Sequence, residues 1–243
     1  VSSENTFPNT TFDWGIFFFY MSLAFVQFVS GVSASSDMTR YAKSARQGFS
    51  GMFLGNSAGY LMTALIGTLV ASSFHSTNPF VVLSEATTNT FIGLFITLSG
   101  LLAMISINIG NAYTGGFSLL NTLPSLGRLR SALLFGIVGV ILSCFPSLST
   151  EAASIISILG AGIVPLSAII VVDYLWIKKM SISEELMMNV VLGSYKINLA
   201  AILTFTFMSI AYLIIPKEFS PGMLIFIGSS IVYFSLHKYI VTK

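Results

Sequence analysis

Residues 25–46 read FVQFVSGVSASSDMTRYAKSAR, a stretch that leads from an apolar segment to a charged one. It begins as the end of an apolar span that starts at Trp14, passes through small and hydroxyl residues around Gly31, and becomes charged at Asp37. Because glycine costs backbone entropy in a helix and serine competes for backbone hydrogen bonds, the helix is predicted to loosen or break around Gly31. In a membrane, such a break is tolerated only inside protein or at a watery cavity, which is typical of a transporter's substrate site.

The same stretch has a second interpretation. A patch rich in serine and glycine near a helix end also marks close helix packing or a frayed terminus. Its spacing alone leaves both interpretations open, so other parts of the chain have to decide between them.

The composition indicates a membrane protein. Of the 243 residues, 54% are hydrophobic and 8% are charged, and the mean hydropathy is +0.87, whereas soluble domains carry about 25% charged residues. The sequence therefore predicts an all-α polytopic membrane protein. A net charge of +2 is too small to indicate a nucleic-acid partner. The single cysteine, Cys144, excludes an internal disulfide and a thiolate metal site, and the two histidines are far apart, so neither a metal nor a cofactor is expected.

Seven apolar segments have roughly the length of 20 residues that a bilayer-spanning helix needs. They cover residues 14–32, 51–73, 90–112, 132–146, 152–176, 196–215 and 222–239. A further short helix is predicted at the apolar patch Pro79–Leu83, and the amphipathic pattern in the loop 180–195 predicts a segment at the cytoplasmic interface. Since the lead-in at 1–13 is polar and the chain starts with valine, the sequence is expected to be the later part of a longer protein.

The basic residues of the loops predict the orientation of the chain. Ten of the eleven lysines and arginines lie on one side of the predicted membrane, and Lys217 lies on the other. By the positive-inside rule, the side with ten basic residues is cytoplasmic. The N-terminus of this chain is therefore predicted to lie outside and the C-terminus inside, in the plasma membrane.

The third span carries a second polar stretch, in which Ser106, Asn108, Asn111 and Thr114 stand among apolar residues. Such side chains are costly in lipid and usually face the bundle or a cavity. Asparagine amides both donate and accept, which suits a flat polar ligand, although hydrogen bonds between packed helices are the alternative. At 1.5 Å per residue, a helix rises roughly 21 Å to Phe28 and roughly 24 Å to Ser106 from the outer ends of the two spans. The two polar stretches are therefore predicted to lie at similar depth and to share a site.

The last three spans carry fewer signals. The fifth is predicted to bend or to be interrupted at Pro165, because proline removes a backbone donor and clashes with the preceding turn. It ends at Asp173, which is expected to pair with a neighbouring basic group. The sixth and seventh spans show no polar cluster and are interpreted as scaffold.

Three runs of residues resemble the nucleobase:cation symporter-1 permeases, which carry cytosine, purines, allantoin and hydantoins. They are the Ser-Asp-x-x-Arg-Tyr-x-Lys run at 36–43, the Asn-x-Tyr-x-Gly-Gly-x-Ser-Leu run at 111–119 and the Leu-Gly-Ala-x-x-x-Pro…Asp-Tyr pattern at 159–174. They follow the family's order over most of the chain. The resemblance implies a secondary active transporter, a symporter that works by alternating access and not an enzyme.

The resemblance also implies a fold. Members of the family resemble the leucine transporter, in which two inverted five-helix repeats are followed by two additional helices. The seven spans would then be helices six to twelve, with the second repeat in residues 1–176 and the additional helices in residues 177–243. The first repeat would be the missing N-terminal half of the same permease.

By position, the resemblance implies a substrate site on the first and third spans. The residues it implies are Gln27, Phe28, Ser30, Gly31, Asn108 and Asn111. Phe28 lies twelve residues before the arginine of the first run, at the position of the aromatic that stacks on the substrate ring. No ionisable residue stands in the middle of a predicted span, which fits an uncharged heterocycle better than an ion or an amino acid.

The coupling ion stays open between H+ and Na+. Sodium-coupled members use a backbone carbonyl and two hydroxyls of the eighth helix, at positions that match Ala103, Ser106 and Ile107. Ile107 departs from this pattern because its side chain has no oxygen to offer. Sodium coupling is therefore expected to be weak or absent.

Two other classes of function are weighed against a transporter. A seven-helix receptor has the same predicted topology, but the chain has no second cysteine for an outer disulfide and its helices contain many glycines. An intramembrane enzyme ranks last, because the spans contain neither paired aspartates nor a metal motif with histidine.

Overall fold

The structure, a computed structural model, describes residues 12–76, 78–145, 147–192 and 197–240. These residues form helices and turns, without a β-strand among them. The chain divides into two compact units, the first formed by residues 1–32 and 147–243 and the second by residues 33–146. The predicted all-α class is therefore confirmed, whereas the boundary predicted at residue 176 stays a prediction.

Ten α-helices follow one another in the described ranges. They are α1 (Trp14–Thr39), α2 (Ala45–Phe74), α3 (Pro79–Ala86), α4 (Thr90–Thr122), α5 (Gly127–Ser143), α6 (Ser147–Thr150), α7 (Ala152–Val172), α8 (Glu184–Val191), α9 (Leu199–Ile214) and α10 (Pro221–Ile240). A π-helical turn, Asp173–Ile177, continues α7. The short helix predicted at Pro79–Leu83 is present as α3, and α8 lies within the amphipathic loop 180–195.

Six stretches in the described part of the chain are long and apolar enough to cross a membrane. They are Trp14–Gly31, Ala45–Phe74, Thr90–Thr122, Pro124–Ser143, Ala152–Ile177 and Pro221–Ile240. α9 is apolar but has 16 residues, which corresponds to a length of about 24 Å against a hydrocarbon core of about 30 Å. The chain is thus a multi-pass membrane protein, and a seventh span stays a prediction.

Helix α1 runs without interruption from Trp14 to Thr39, so the predicted break around Gly31 is wrong. One glycine costs a helix about 1 kcal/mol, whereas each unsatisfied backbone group in lipid costs several times as much. Ser30 does not divert the backbone either, because its hydroxyl donates to the carbonyl oxygen of Gln27 at 2.7 Å within the helix. The continuous helix is therefore the state of lower free energy.

Helix α7 also continues past its proline. Pro165 lies inside Ala152–Val172, so the helix is not interrupted there, whereas the predicted bend stays a prediction. The regular ladder changes later, in the π-helical turn, where the N–H of Lys178 donates to the carbonyl of Asp173 at 2.8 Å. The helix tolerates the proline because the ring removes a single backbone donor.

The core of the first unit is formed by α7, α9, α10 and the first half of α1. Its buried members are Val26, Ala161, Val164, Met208, Tyr212 and Ile225. Glycine allows the closest approach between α1 and α10, since a Cβ on Gly222 would lie 2.8 Å from the hydroxyl of Ser22. The N–H of Gly222 donates to that hydroxyl at 2.8 Å, which joins the two helices by a buried hydrogen bond.

The second unit is built on α4. Glycines bring α5 against it, because a Cβ on Gly116 would lie 2.8 Å from the Cα of Ala132. Nearer the start of α4, the ring of Phe80 in α3 lies against Gly100, where an added Cβ would come within 2.8 Å of the ring. The short helix α3 is thus seated on the first half of α4.

Candidate functional site

The first group of candidate residues lies on one helix, α1. Gln27, Phe28, Ser30 and Gly31 are all exposed, and 41% of the surface of Phe28 is accessible. Their neighbour Val26 is 1% exposed and belongs to the core, whereas these four residues stay accessible. A Cβ added to Gly31 would meet nothing within 4 Å. A flat molecule has room to approach the helix there.

The second group lies on α4, where Asn108 and Asn111 are both exposed. They are three residues apart and therefore share a face of the helix. The amide nitrogen of Asn108 donates to the carbonyl oxygen of Met104 at 2.9 Å, so part of its hydrogen-bonding capacity is used within α4. Exposed amides in an apolar span need a ligand, water or another helix as a partner.

The candidate cation residues also lie on α4. Ala103, Ser106 and Ile107 follow the i, i+3, i+4 spacing of one helix face. Ser106 is exposed, and Ile107 is 63% exposed with an apolar side chain. Of these three residues, Ser106 alone has a side-chain oxygen. Among the residues that the structure describes, no group of three or more His, Cys, Asp or Glu could hold a metal ion.

The two groups belong to different units of the chain. The candidates on α1 lie before residue 33 and belong to the first unit, whereas those on α4 belong to the second. Their assignment to one shared depth and one shared site stays a prediction.

A cluster of arginines and aromatic rings at the end of α4 was missed by sequence reasoning. The rings of Tyr113 and Phe117 have centroids 4.9 Å apart, and the guanidinium of Arg128 lies 5.8 Å and 5.0 Å from them. Arg40 donates to the hydroxyl of Tyr113 at 3.5 Å. The available signal was an aromatic pair at i, i+4 in a helix that is followed by an arginine. The cluster ties the residue after α1 and the start of α5 to α4.

A polar network at the ends of α7 and α10 was also missed. The hydroxyl of Tyr233, which is fully buried, donates to Oδ1 of Asp173 at 3.0 Å and accepts from Nδ2 of Asn198 at 2.8 Å. Asp173 pairs with Lys178 at 2.5 Å, which confirms its predicted basic partner. The prediction that the last two spans carry no polar cluster is wrong. Tyr233 supplies the link, and a lone tyrosine gives no periodic signal.

A sequence match to a hydrolase motif has no structural support. Residues 55–59, GNSAG, have the spacing of the Gly-x-Ser-x-Gly turn that exposes a nucleophilic serine. That turn joins a strand to a helix, whereas these residues lie inside α2. The pattern therefore does not favour an enzyme.

Comparison with known proteins identifies a family of permeases. The family model described as "Permease for cytosine/purines, uracil, thiamine, allantoin" matches residues 8–241. Neither the search of curated proteins nor the search of solved structures gives a significant match. The matched range covers nearly the whole chain and includes every candidate residue on α1 and α4.

Proposed function

We propose, from the premise that this chain belongs to the family of permeases for cytosine and purines, uracil, thiamine and allantoin, that it carries a neutral, flat heterocycle of this kind across a membrane. The family match over residues 8–241 carries the proposal, and the six long apolar helices support a membrane location. No observation in the described ranges favours a receptor. The family's description is that of a transport protein and not of an enzyme.

The residues of α1 are proposed to contact the ring of the substrate. Because the helix is continuous, its backbone groups around Gly31 are used in helical hydrogen bonds, and recognition rests on side chains. Phe28 offers an aromatic face, and Gln27 offers an amide for the edge of a heterocycle. The Ser30 hydroxyl donates within α1 and keeps its capacity to accept.

The amides of α4 are proposed to contact the polar edge of the substrate. Asn108 and Asn111 are exposed in the middle of a 33-residue apolar helix, where a bare amide is costly. A nucleobase presents donors and acceptors in one plane, and amides can match both kinds. A neutral substrate needs no countercharge, in agreement with the lack of ionisable residues in the middle of α4.

The transport mechanism is proposed to be symport by alternating access. The resemblance in three sequence runs supports helices six to twelve of the leucine-transporter fold, with the second repeat in residues 1–176 and two additional helices in residues 177–243. Loop charge supports an outer N-terminus, a cytoplasmic C-terminus and a place in the plasma membrane. The coupling ion is H+ or Na+.

Uptake measurements test the proposal. Cells without their own nucleobase permeases would express the protein and receive labelled cytosine, adenine, hypoxanthine, uracil, thiamine or allantoin. We expect saturable uptake of at least one compound and its loss in an Asn108→Leu, Asn111→Leu double variant. Asn121→Leu, at the end of the same helix, serves as the matched control and should retain uptake. Absence of uptake for the whole panel, with the protein shown to be in the membrane, would contradict the proposal.

A further inference from the structure

Thr204 and Ser229 carry two of the four buried hydroxyl groups of the first unit that have no partner among the residues that the structure describes. Thr204 on α9 and Ser229 on α10 are each 0% exposed. Neither the Oγ1 of Thr204 nor the Oγ of Ser229 makes a hydrogen bond. Buried polar groups in proteins are nearly always paired, and ordered water supplies the partner where no protein group does. These hydroxyls therefore indicate a bound partner of small size.

The two hydroxyls lie in the same layer of the core. Asn198, at the start of α9, bonds to Tyr233 of α10 at 2.8 Å. Further along α9, the methyl of Met208 would lie 2.7 Å from a Cβ on Gly228. The helices are therefore antiparallel, with Thr204 between the two contacts on one helix. Ser229 lies between the same two contacts on the other.

We propose that a water molecule is bound between α9 and α10, where it bonds to Thr204 and Ser229. Two polar partners lie within the range that buried waters in proteins have. The neighbouring side chains include those of Ala168 and Ala200, which are small and fully buried in this core. An uncharged ligand fits better than a cation, since Lys178 already neutralises Asp173.

Removing one hydroxyl at a time tests the proposal through the sign of the stability change. If water is bound, Thr204→Val and Ser229→Ala each take away a hydrogen bond, and each should lower the melting temperature of the intact protein in detergent by about 2 to 4 °C. The double variant should lower the melting temperature by less than the sum of the two single changes, because either change already weakens the binding of the water. If the core is dry, both changes remove an unpaired polar group and raise the melting temperature.

Matched controls and a direct observation complete the test. Thr206→Val and Ser235→Ala change exposed residues of the same helices and should leave the melting temperature within 1 °C of the parent, the size of a typical surface effect, at about 0.5 kcal/mol or less. An experimental structure of the unchanged protein should show density about 2.7 to 3.2 Å from both hydroxyls. Melting temperatures at or above the parent in both variants, or empty density where other buried waters are seen, would overturn the proposal. A second result would also overturn the proposal, in favour of a bound cation. In that case NaCl would stabilise the protein more than choline chloride does, and both variants would abolish the difference.

Discussion

The hydroxyl of Tyr212 on α9 lies in the space that any side chain at Gly160 of α7 would need. A Cβ on Gly160 would come within 2.3 Å of that hydroxyl oxygen and 3.1 Å of a methyl carbon of Val26. Tyr212 is 4% exposed, so its ring is held by the surrounding core. The absence of a side chain at position 160 is therefore what allows α7 and α9 to pack at this distance.

Gly160→Ala is expected to destabilise the protein by about 1 to 3 kcal/mol, because an added methyl forces buried groups apart. The measurement is the unfolding midpoint of purified protein in detergent. Gly162→Ala is the matched control, since a Cβ there meets nothing within 4 Å. It should be neutral or stabilising by up to about 1 kcal/mol, the helix preference of alanine over glycine. Equal losses for both variants would show that the contact with Tyr212 is not the cause.

Tyr233→Phe is expected to lower stability by about 1 to 3 kcal/mol, because it leaves the amide of Asn198 and the carboxylate of Asp173 without their shared hydroxyl. Unfolding of the purified protein measures the change. Tyr239→Phe removes the hydroxyl of a residue that is 72% exposed in the same helix and should have little effect. A Tyr233→Phe variant as stable as the parent would mean that the network contributes no net stability.

Phe28→Ala is expected to weaken substrate binding tenfold to a hundredfold. Stacking of a base on an aromatic side chain is worth about 1 to 3 kcal/mol, and about 1.4 kcal/mol corresponds to a factor of ten. Phe28→Trp and Phe28→Tyr should retain much of the affinity. The dissociation constant is measured on monodisperse protein, with Phe207→Ala, at an exposed phenylalanine of α9, as the control. An unchanged constant in Phe28→Ala would remove this residue from the substrate site.

Uptake is expected to depend weakly on sodium or not at all, because Ile107 stands where sodium-coupled relatives are expected to supply a hydroxyl. Replacing sodium by choline at fixed pH in proteoliposomes measures this dependence. Ser106→Ala should leave the ion response unchanged, since one hydroxyl on this face does not complete a site. A steep rise of uptake with sodium concentration that Ser106→Ala abolishes would show that the cation site is present.

The sequence predicts the presence of helices more accurately than the residues at which they end. The third span was predicted at residues 90–112, and α4 extends over Thr90–Thr122. Its last turns are polar, yet the hydroxyls of Thr114 and Ser118 donate to carbonyls four residues earlier and are therefore satisfied within the helix. Hydrophobicity alone ends a predicted span at the first polar residues, although helical hydrogen bonding continues.

For the candidate site, the amino-acid sequence by itself determined which polar and aromatic side chains stand in apolar spans, and its family membership follows from the same residues. It did not determine that α1 stays helical through Gly31, because the local propensity for a break competes with the cost of unsatisfied backbone groups in lipid. The exposed positions of Asn108 and Asn111 likewise depend on which face of α4 its neighbours cover.

Which residues meet across helices depends on the tertiary structure. The link from Asn198 through Tyr233 to Asp173 joins positions up to 60 residues apart, and the shared layer of Thr204 and Ser229 depends on how α9 is set against α10. Periodicity determines the face on which a residue lies, but the register of one helix against another depends on side-chain packing. In this chain the register is set by glycines and small residues at the contacts, where helices approach closely enough for buried polar groups to find one another.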